Sequence, residues 1–342
     1  MPSRGILCPA VAAVSGLVLL TACSGGSSGT TGLESALGHI ANTSGNHSQI
    51  WYDDTSALVK LAGASPGSSK GFALLRGIGT GGLVSYATEL PGRTAVKVLS
   101  ENYAISAGSP PSNLTLISGG QDAGRTATDL TRLGWARKGG RLVAPPVKSA
   151  RGNEFTASLS LEMAQVSDGS GPDITVGGKS ADLGQAGSPQ GQTLAQSPVI
   201  KALAGCLGNV VAASIGTYSS GSHPAPSEVA TGVLTPASNS SVPHVVTCAA
   251  WPTAAAASAY QHNLAKALRS GEAYSRGEPF AQLLTHSAVR TAGGPWHIVA
   301  WRASTPQNAQ LVFQLAESED LPALPDCQRL PPQAVRQVPG CA

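Results

Sequence analysis

The sequence predicts an α+β fold, mainly antiparallel sheets with helices packed on one face, in two similar halves. Three observations carry this. Apolar runs of strand length recur along the chain and are joined by Gly-, Pro- and Ser-rich turns rather than by long helices. Two segments, 123–133 and 254–270, show helical spacing of apolar residues between clear start and stop signals. A loose succession of strand, helix and strand occurs once in each half, which is the unit of an α+β layer. The turn-rich stretch 145–152 divides an N-terminal α+β domain, 33–147, from a C-terminal α+β domain, 152–342.

In the first half, Leu33, Leu37 and Ile40 share a face of a short helix over 33–41. Ile50-Trp51-Tyr52 is extended. Asp53-Asp54-Thr55 then caps a helix running to Ala62 and stopped by Gly63. The adjacent carboxylates of Asp53 and Asp54 would also suit a metal, but no third ligand stands nearby, and capping with dipole compensation accounts for them. Gly77-Ile78-Gly79-Thr80-Gly81-Gly82 fits G-x-G-x-x-G, with Glu101 at about the spacing of a ribose-binding acid. A dinucleotide site needs a helix after those glycines, and Pro91-Gly92 ends the only candidate at once. An irregular turn, or close backbone packing, is the expected use. Strands follow over 95–106 and 114–118. Asp122 is an N-cap, Ala123, Ala127, Leu130 and Leu133 recur at helical spacing, and Gly134 stops the helix. Gly139-Gly140 sets a hairpin.

In the second half, strands are expected over 155–161, 174–176, 210–218, 228–234, 244–251 and 296–302. Ser197-Pro198 opens a helix through Leu203, with proline at the favoured first position. Thr253 caps the helix 254–270, whose buried face is Ala257, Tyr260, Leu264 and Leu268. Thr305-Pro306 opens a last helix to about 318.

The chain begins with Arg4, an interrupted apolar run over 6–20 and a small-residue exit, the form of an export signal rather than of a membrane span, which needs about 20 apolar residues. The exit, Leu20-Thr21-Ala22-Cys23, resembles the lipobox of bacterial lipoproteins, and the composition, abundant in Ala, Gly, Ser and Thr with Arg outnumbering Lys, resembles that of actinomycete proteins. The resemblance implies removal of the signal peptide 1–22 and lipidation of Cys23, with two acyl chains giving a stable anchor. Residues 23–32, nearly all Gly, Ser and Thr, then form a flexible linker with a reach of roughly 15–20 Å. The implied location is the extracytoplasmic face of the cell membrane.

Beyond Cys23 four cysteines remain: Cys206, Cys248, Cys327 and Cys341. An even number in an exported chain reads as disulfides, and no C-x-x-C spacing suggests a metal. Of three pairings, Cys206–Cys248 and Cys327–Cys341 are favoured, the second stapling a Pro-rich tail.

Charged residues are 12% of the chain and its net charge is +3, with no clustered Lys/Arg run, so nucleic-acid binding is not expected. Gly63-Ala64-Ser65-Pro66-Gly67 fits G-x-S-x-G, but Pro66 lacks the N–H that an oxyanion hole would use. The seven histidines show neither H-x-H nor H-E-x-x-H spacing; His262 is expected on a helix surface, His244 and His297 in strands. Trp51, Trp135, Trp251, Trp296 and Trp301 flank strands, with Trp296 and Trp301 on opposite faces. No cofactor, metal or catalytic set is indicated. The expectation is a membrane-anchored lipoprotein that binds an envelope protein or a small ligand without catalysis. The alternatives are the solute-binding subunit of an uptake system and an exported hydrolase.

Overall fold

The computed structural model describes residues 31–63, 71–147, 154–218, 225–236, 242–292, 294–306 and 308–325. Their helices are α1 (Gly32–Leu37), α2 (Thr55–Gly63), α3 (Leu90–Thr94), α4 (Ala123–Arg132), α5 (Glu154–Glu162), α6 (Pro198–Leu207), α7 (Ala254–Ser270), α8 (Phe280–Leu283) and α9 (Leu311–Glu317). The first-half strands are β1 (Gln49–Asp53), β2 (Tyr103–Ala107), β3 (Leu114–Ser118), β4 (Ala136–Lys138) and β5 (Arg141–Val143). The second half adds β6 (Gln165–Ser167), β7 (Ile174–Gly177), β8 (Val210–Gly216), β9 (Glu228–Leu234) and β10 (His244–Trp251). Two-residue strands β11 (Glu272–Ala273) and β12 (Glu278–Pro279) form a small ladder, β13 (Thr285–Ala292) and β14 (His297–Ser304) a long hairpin, and β15 (Asp320–Leu321) and β16 (Leu324–Pro325) a second small ladder.

Twelve strands make one sheet in the order β13-β14-β10-β9-β8-β1-β2-β3-β7-β6-β5-β4, and every neighbouring pair is antiparallel. The class is α+β, as the turn-linked strands imply. The halves expected on either side of 145–152 are not separate bodies. The chain from Thr31 onward is one compact unit, because first-half β1 pairs with second-half β8 and first-half β3 with second-half β7.

Helices cover both faces of the sheet rather than one. Strand β10 shows why: Val246, Cys248 and Ala250 point to the face covered by α1 and α6, while Val245, Ala249 and Trp251 point to the face covered by α7 and α9. Both sides of a central strand must leave water, so the run His244–Trp251 is buried on both and apolar but for Thr247, with only His244 exposed. Cys206, at the end of α6, is bonded to Cys248 on β10 with their Cα atoms 6.3 Å apart. The disulfide thus staples a covering helix to the sheet. Cys23, Cys327 and Cys341 lie outside the described residues.

Local signals mark several helix starts. Thr31 and Glu34 form a reciprocal capping box at α1, Asp122 accepts Arg125 N–H at α4, and Thr253 accepts Ala256 N–H at α7. Three expectations are corrected. Residues 154–162 are helical, not extended, because Leu159 packs from α5 into the core beneath it and tertiary packing overrides a weak strand pattern. Only Tyr103–Ala107 of the expected strand 95–106 is extended. The last helix begins at Leu311 after Gln310, not at Pro306.

The face opposite α1 and α6 carries two apolar clusters rather than one. At the β8–β14 end, Val233, Val245, Val299 and Trp301 pack beneath α7 and α9. At the β3–β7 end, Ile117, Ile174, Val176 and Trp135 pack beneath α4 and α5. The middle strands β1 and β2 lie between them, and the candidate site is there.

Candidate functional site

Antiparallel registers place one residue from each strand on a line across this face. From Trp301 the line runs through Thr247, Thr231, Ser214, Trp51, Ser106 and Thr115 to Val176. Apolar residues occupy both ends, inside the two clusters. Between them stand five hydroxyl side chains and one tryptophan, where a covered sheet face would ordinarily be apolar.

Two cavities open on this line, one on each side of Trp51. The first, about 180 Å³, is lined by Ser214, Thr231, Tyr218 and Glu317. The second, about 430 Å³, is lined by Ser106, Thr115, Asn113, Gly81, Gly82 and Glu162, again with Glu317. Gln49, Trp51 and Glu317 line both, so the two form one groove. Trp51 is half-buried and held from one side by Phe313 of α9, with ring centroids 5.7 Å apart. The Thr231 hydroxyl is buried and has no hydrogen-bond partner among the described residues.

The wall beside β2 is the glycine-rich segment 77–82, built on a buried carboxylate. Asp53 ends β1 and is fully buried. Its Oδ1 accepts Gly79 N–H at 2.7 Å, and its Oδ2 accepts Gly77 N–H at 3.4 Å. Gly79 is obligatory, since a Cβ there would sit 2.3 Å from Ala104 O on β2. Gly77 and Gly81 adopt positive φ, +81° and +59°. These glycines therefore serve close packing and irregular backbone, as expected, and no helix of the dinucleotide kind follows.

Asp53 also faces Glu101. Thr55 Oγ1 lies 2.5 Å from Asp53 Oδ2 and 2.8 Å from Glu101 Oε1. A hydroxyl carries one proton, so it donates to one of these oxygens only, and the other carboxyl must carry a proton to complete the chain. Burial, aided by repulsion from Glu101, accordingly pushes Asp53 up to about 7 against the bonds from Thr55 and the glycines. Burial also raises Glu101, opposed by its hydrogen bonds and by Arg76. Arg76 itself donates to Leu99 O. Asp54, not Asp53, caps α2, accepting Ala57 N–H at 2.8 Å.

The other residues singled out from the sequence lie apart from the groove. His262 is exposed on α7, and His244 bonds Ser304 Oγ at 3.1 Å. His47 sits between Glu228 Oε1, at 2.9 Å, and Asn42 Oδ1, at 2.7 Å. Trp135, Trp251 and Trp301 are core residues, and Trp296 packs on the face opposite Trp301. Among the described residues no group of three or more His, Cys, Asp or Glu could hold a metal. Residues 64–67 of the G-x-S-x-G match lie outside the described residues. Sequence reasoning missed Glu162 and Glu317 because nothing local marks them; of β1 it gave only that Ile50-Trp51-Tyr52 is extended.

The chain matches no protein-family model, no curated protein and no solved structure.

Proposed function

We propose that this chain is a lipoprotein anchored through Cys23 at the extracytoplasmic face of the cell membrane, with a non-catalytic role, capture of a small polar ligand in the groove around Trp51. The lipobox-like Leu20-Thr21-Ala22-Cys23 supports the anchor, and the Cys206–Cys248 disulfide fits an oxidising compartment. No helix among the described residues is long and apolar enough to cross a membrane, which is compatible with attachment through lipid. The single observation that carries the binding reading is the interruption of an apolar sheet face by a tryptophan and a row of hydroxyls, with a cavity on either side. A half-buried aromatic with a few convergent polar groups is the usual make-up of a ligand site. The groove crosses one continuous sheet rather than a hinge between lobes, which sets this reading apart from a hinge-closing solute-binding subunit.

One observation favours a second reading, an exported hydrolase: two carboxylates, Glu162 and Glu317, line the same cavity, and paired carboxylates are what glycoside hydrolysis uses. The test takes the full chain in its native envelope. Labelling with an alkynyl fatty acid should mark the wild type and not Cys23→Ser. Tryptophan fluorescence of the purified protein should then be quenched saturably by members of a small-solute panel, and not in Trp51→Phe. Turnover of a bound solute, lost in Glu162→Gln, would establish the hydrolase instead.

A further inference from the structure

We propose that the groove takes a small organic cation, an ammonium or quaternary ammonium group seated between the Trp51 ring and the carboxylates of Glu162 and Glu317. This rests on the reading of the groove as a ligand site. The charge pattern decides the class. Among the described residues that line the two cavities there is no Lys, Arg or His, although the chain as a whole is net positive at +3. The adjoining cavity of about 430 Å³, which shares Ser48 and Ser109 with the first, is lined by one further charged residue, Asp182. Every charged side chain described along the groove is thus a carboxylate. Neither Glu162 nor Glu317 is in an ion pair among the described residues.

Two further features point to an occupant. Glu162 lies against the backbone of the glycine segment: a Cβ on Gly82 would lie 2.2 Å from Glu162 Oε2, so glycine leaves room for the carboxylate in this position on the groove wall. The Thr231 side chain, buried and without a hydrogen-bond partner for its hydroxyl among the described residues, lines the part of the groove on the other side of Trp51. A neutral polyol would be served by hydroxyls and amides alone and would leave the two carboxylates of this lining without a counter-charge among the lining residues. An organic cation neutralises them and finds in Trp51 the aromatic face that binds such groups best.

The test is titration of the full-length protein in detergent with four probes, read by calorimetry and Trp fluorescence. Choline and spermidine are the charged probes; the neutral tert-butyl analogue of choline and N-acetylglucosamine are the uncharged ones. The expected result is saturable binding of a charged probe, at least about tenfold weaker binding of the neutral analogue, and weakening by added salt. Glu162→Gln and Glu317→Gln, both at sites with access to solvent, should each weaken the charged probe about tenfold with an unchanged circular dichroism spectrum, and Gly82→Ala should do so by displacing Glu162. Neutral probes binding as tightly as charged ones, or charged-probe binding indifferent to both Gln variants, overturns the cation assignment. If Trp51→Phe still abolishes binding in that case, the groove stands as a site for neutral ligands. Binding of no probe at all overturns the assignment and counts against the groove reading too.

Discussion

Asp53→Asn should remove most of this protein's loss of stability between pH 5 and pH 8. The native state holds the Asp53 proton up to about pH 7, whereas the ordinary value is 3.8. Between those values the folded chain keeps a proton that the unfolded chain has released. Stability is therefore full below about pH 4 and falls as pH rises through about 7. Integrated from pH 5 to pH 8, one such group gives a fall of roughly 2–3 kcal/mol, at 1.36 kcal/mol per unit. Asparagine imitates the protonated acid at this site. Its Oδ1 can accept Gly79 N–H, and its Nδ2 can donate to Thr55 Oγ1, which then donates to Glu101 Oε1; the bond that is lost is the long one from Gly77 N–H, at 3.4 Å. The assay is urea unfolding, disulfide intact, at half-unit steps of pH for wild type and variant. Wild type should lose stability across the range and Asp53→Asn should lose much less, keeping only the contribution of the other raised carboxyl, Glu101, and becoming the more stable protein above pH 7. An unaltered wild-type slope in the variant would refute the assignment of the proton to this pair.

Other perturbations test the framework. Replacing Cys206 and Cys248 by serine opens a loop with a sequence separation of 42 and should cost about 4 kcal/mol in the chain-entropy model; equal urea midpoints with and without the bond would contradict this. Gly79→Ala drives a Cβ into Ala104 O and Asp53 N, backbone atoms of two sheet strands, and should cost about 3 kcal/mol or more, seen as loss of soluble protein or a much lower midpoint. Thr231→Val keeps the shape and removes a buried hydroxyl without a partner; it should raise stability by about 1 kcal/mol and weaken any ligand that uses that hydroxyl. Destabilisation by Thr231→Val would show instead that the hydroxyl is bonded in solution.

What the sequence disclosed, and what it hid, divides along physical lines. Thr253, Asp122 and Gly134 mark helix ends through bonds made within one turn, and those ends were legible. The pairing of Cys206 with Cys248 was the favoured one of three, left over once Cys327 and Cys341 are assigned to the Pro-rich tail, and the structure forms it. Apolar runs of strand length between turn-rich stretches identified β8, β9 and β10 as strands, yet such runs cannot say which strand lies beside which. The insertion of β1 between β8 and β2 was therefore hidden, and two domains were expected where one sheet exists. The same limit concealed the site. Trp51, Ser106, Ser214 and Thr231 are up to 180 residues apart in the chain and meet only through register. Asp53 was legible as a carboxylate next to a helix, but the cap proved to be Asp54, and the partner of Asp53 is a loop more than twenty residues away.

The position of the groove follows from a departure from the rules that stabilise the rest of the molecule. A helix-covered sheet face gains most by staying apolar, at about 25 cal/mol for each Å² withdrawn from water. Here that gain is taken at the two ends, where Trp301 and Val176 lie on the transverse line, and forgone in the middle. Thr231 and Thr247 are buried without partners for their hydroxyls, although valine would fill the same space at lower cost. Glycines at 79, 81 and 82 and a buried Asp53 then hold open the wall that faces them. Stability alone would favour closing this strip with apolar side chains and merging the two clusters. Sequences that specify a fold by agreement of every local signal break that agreement at working sites. The middle of this sheet breaks it at several neighbouring positions on one line, which is why the search for a ligand should begin at Trp51.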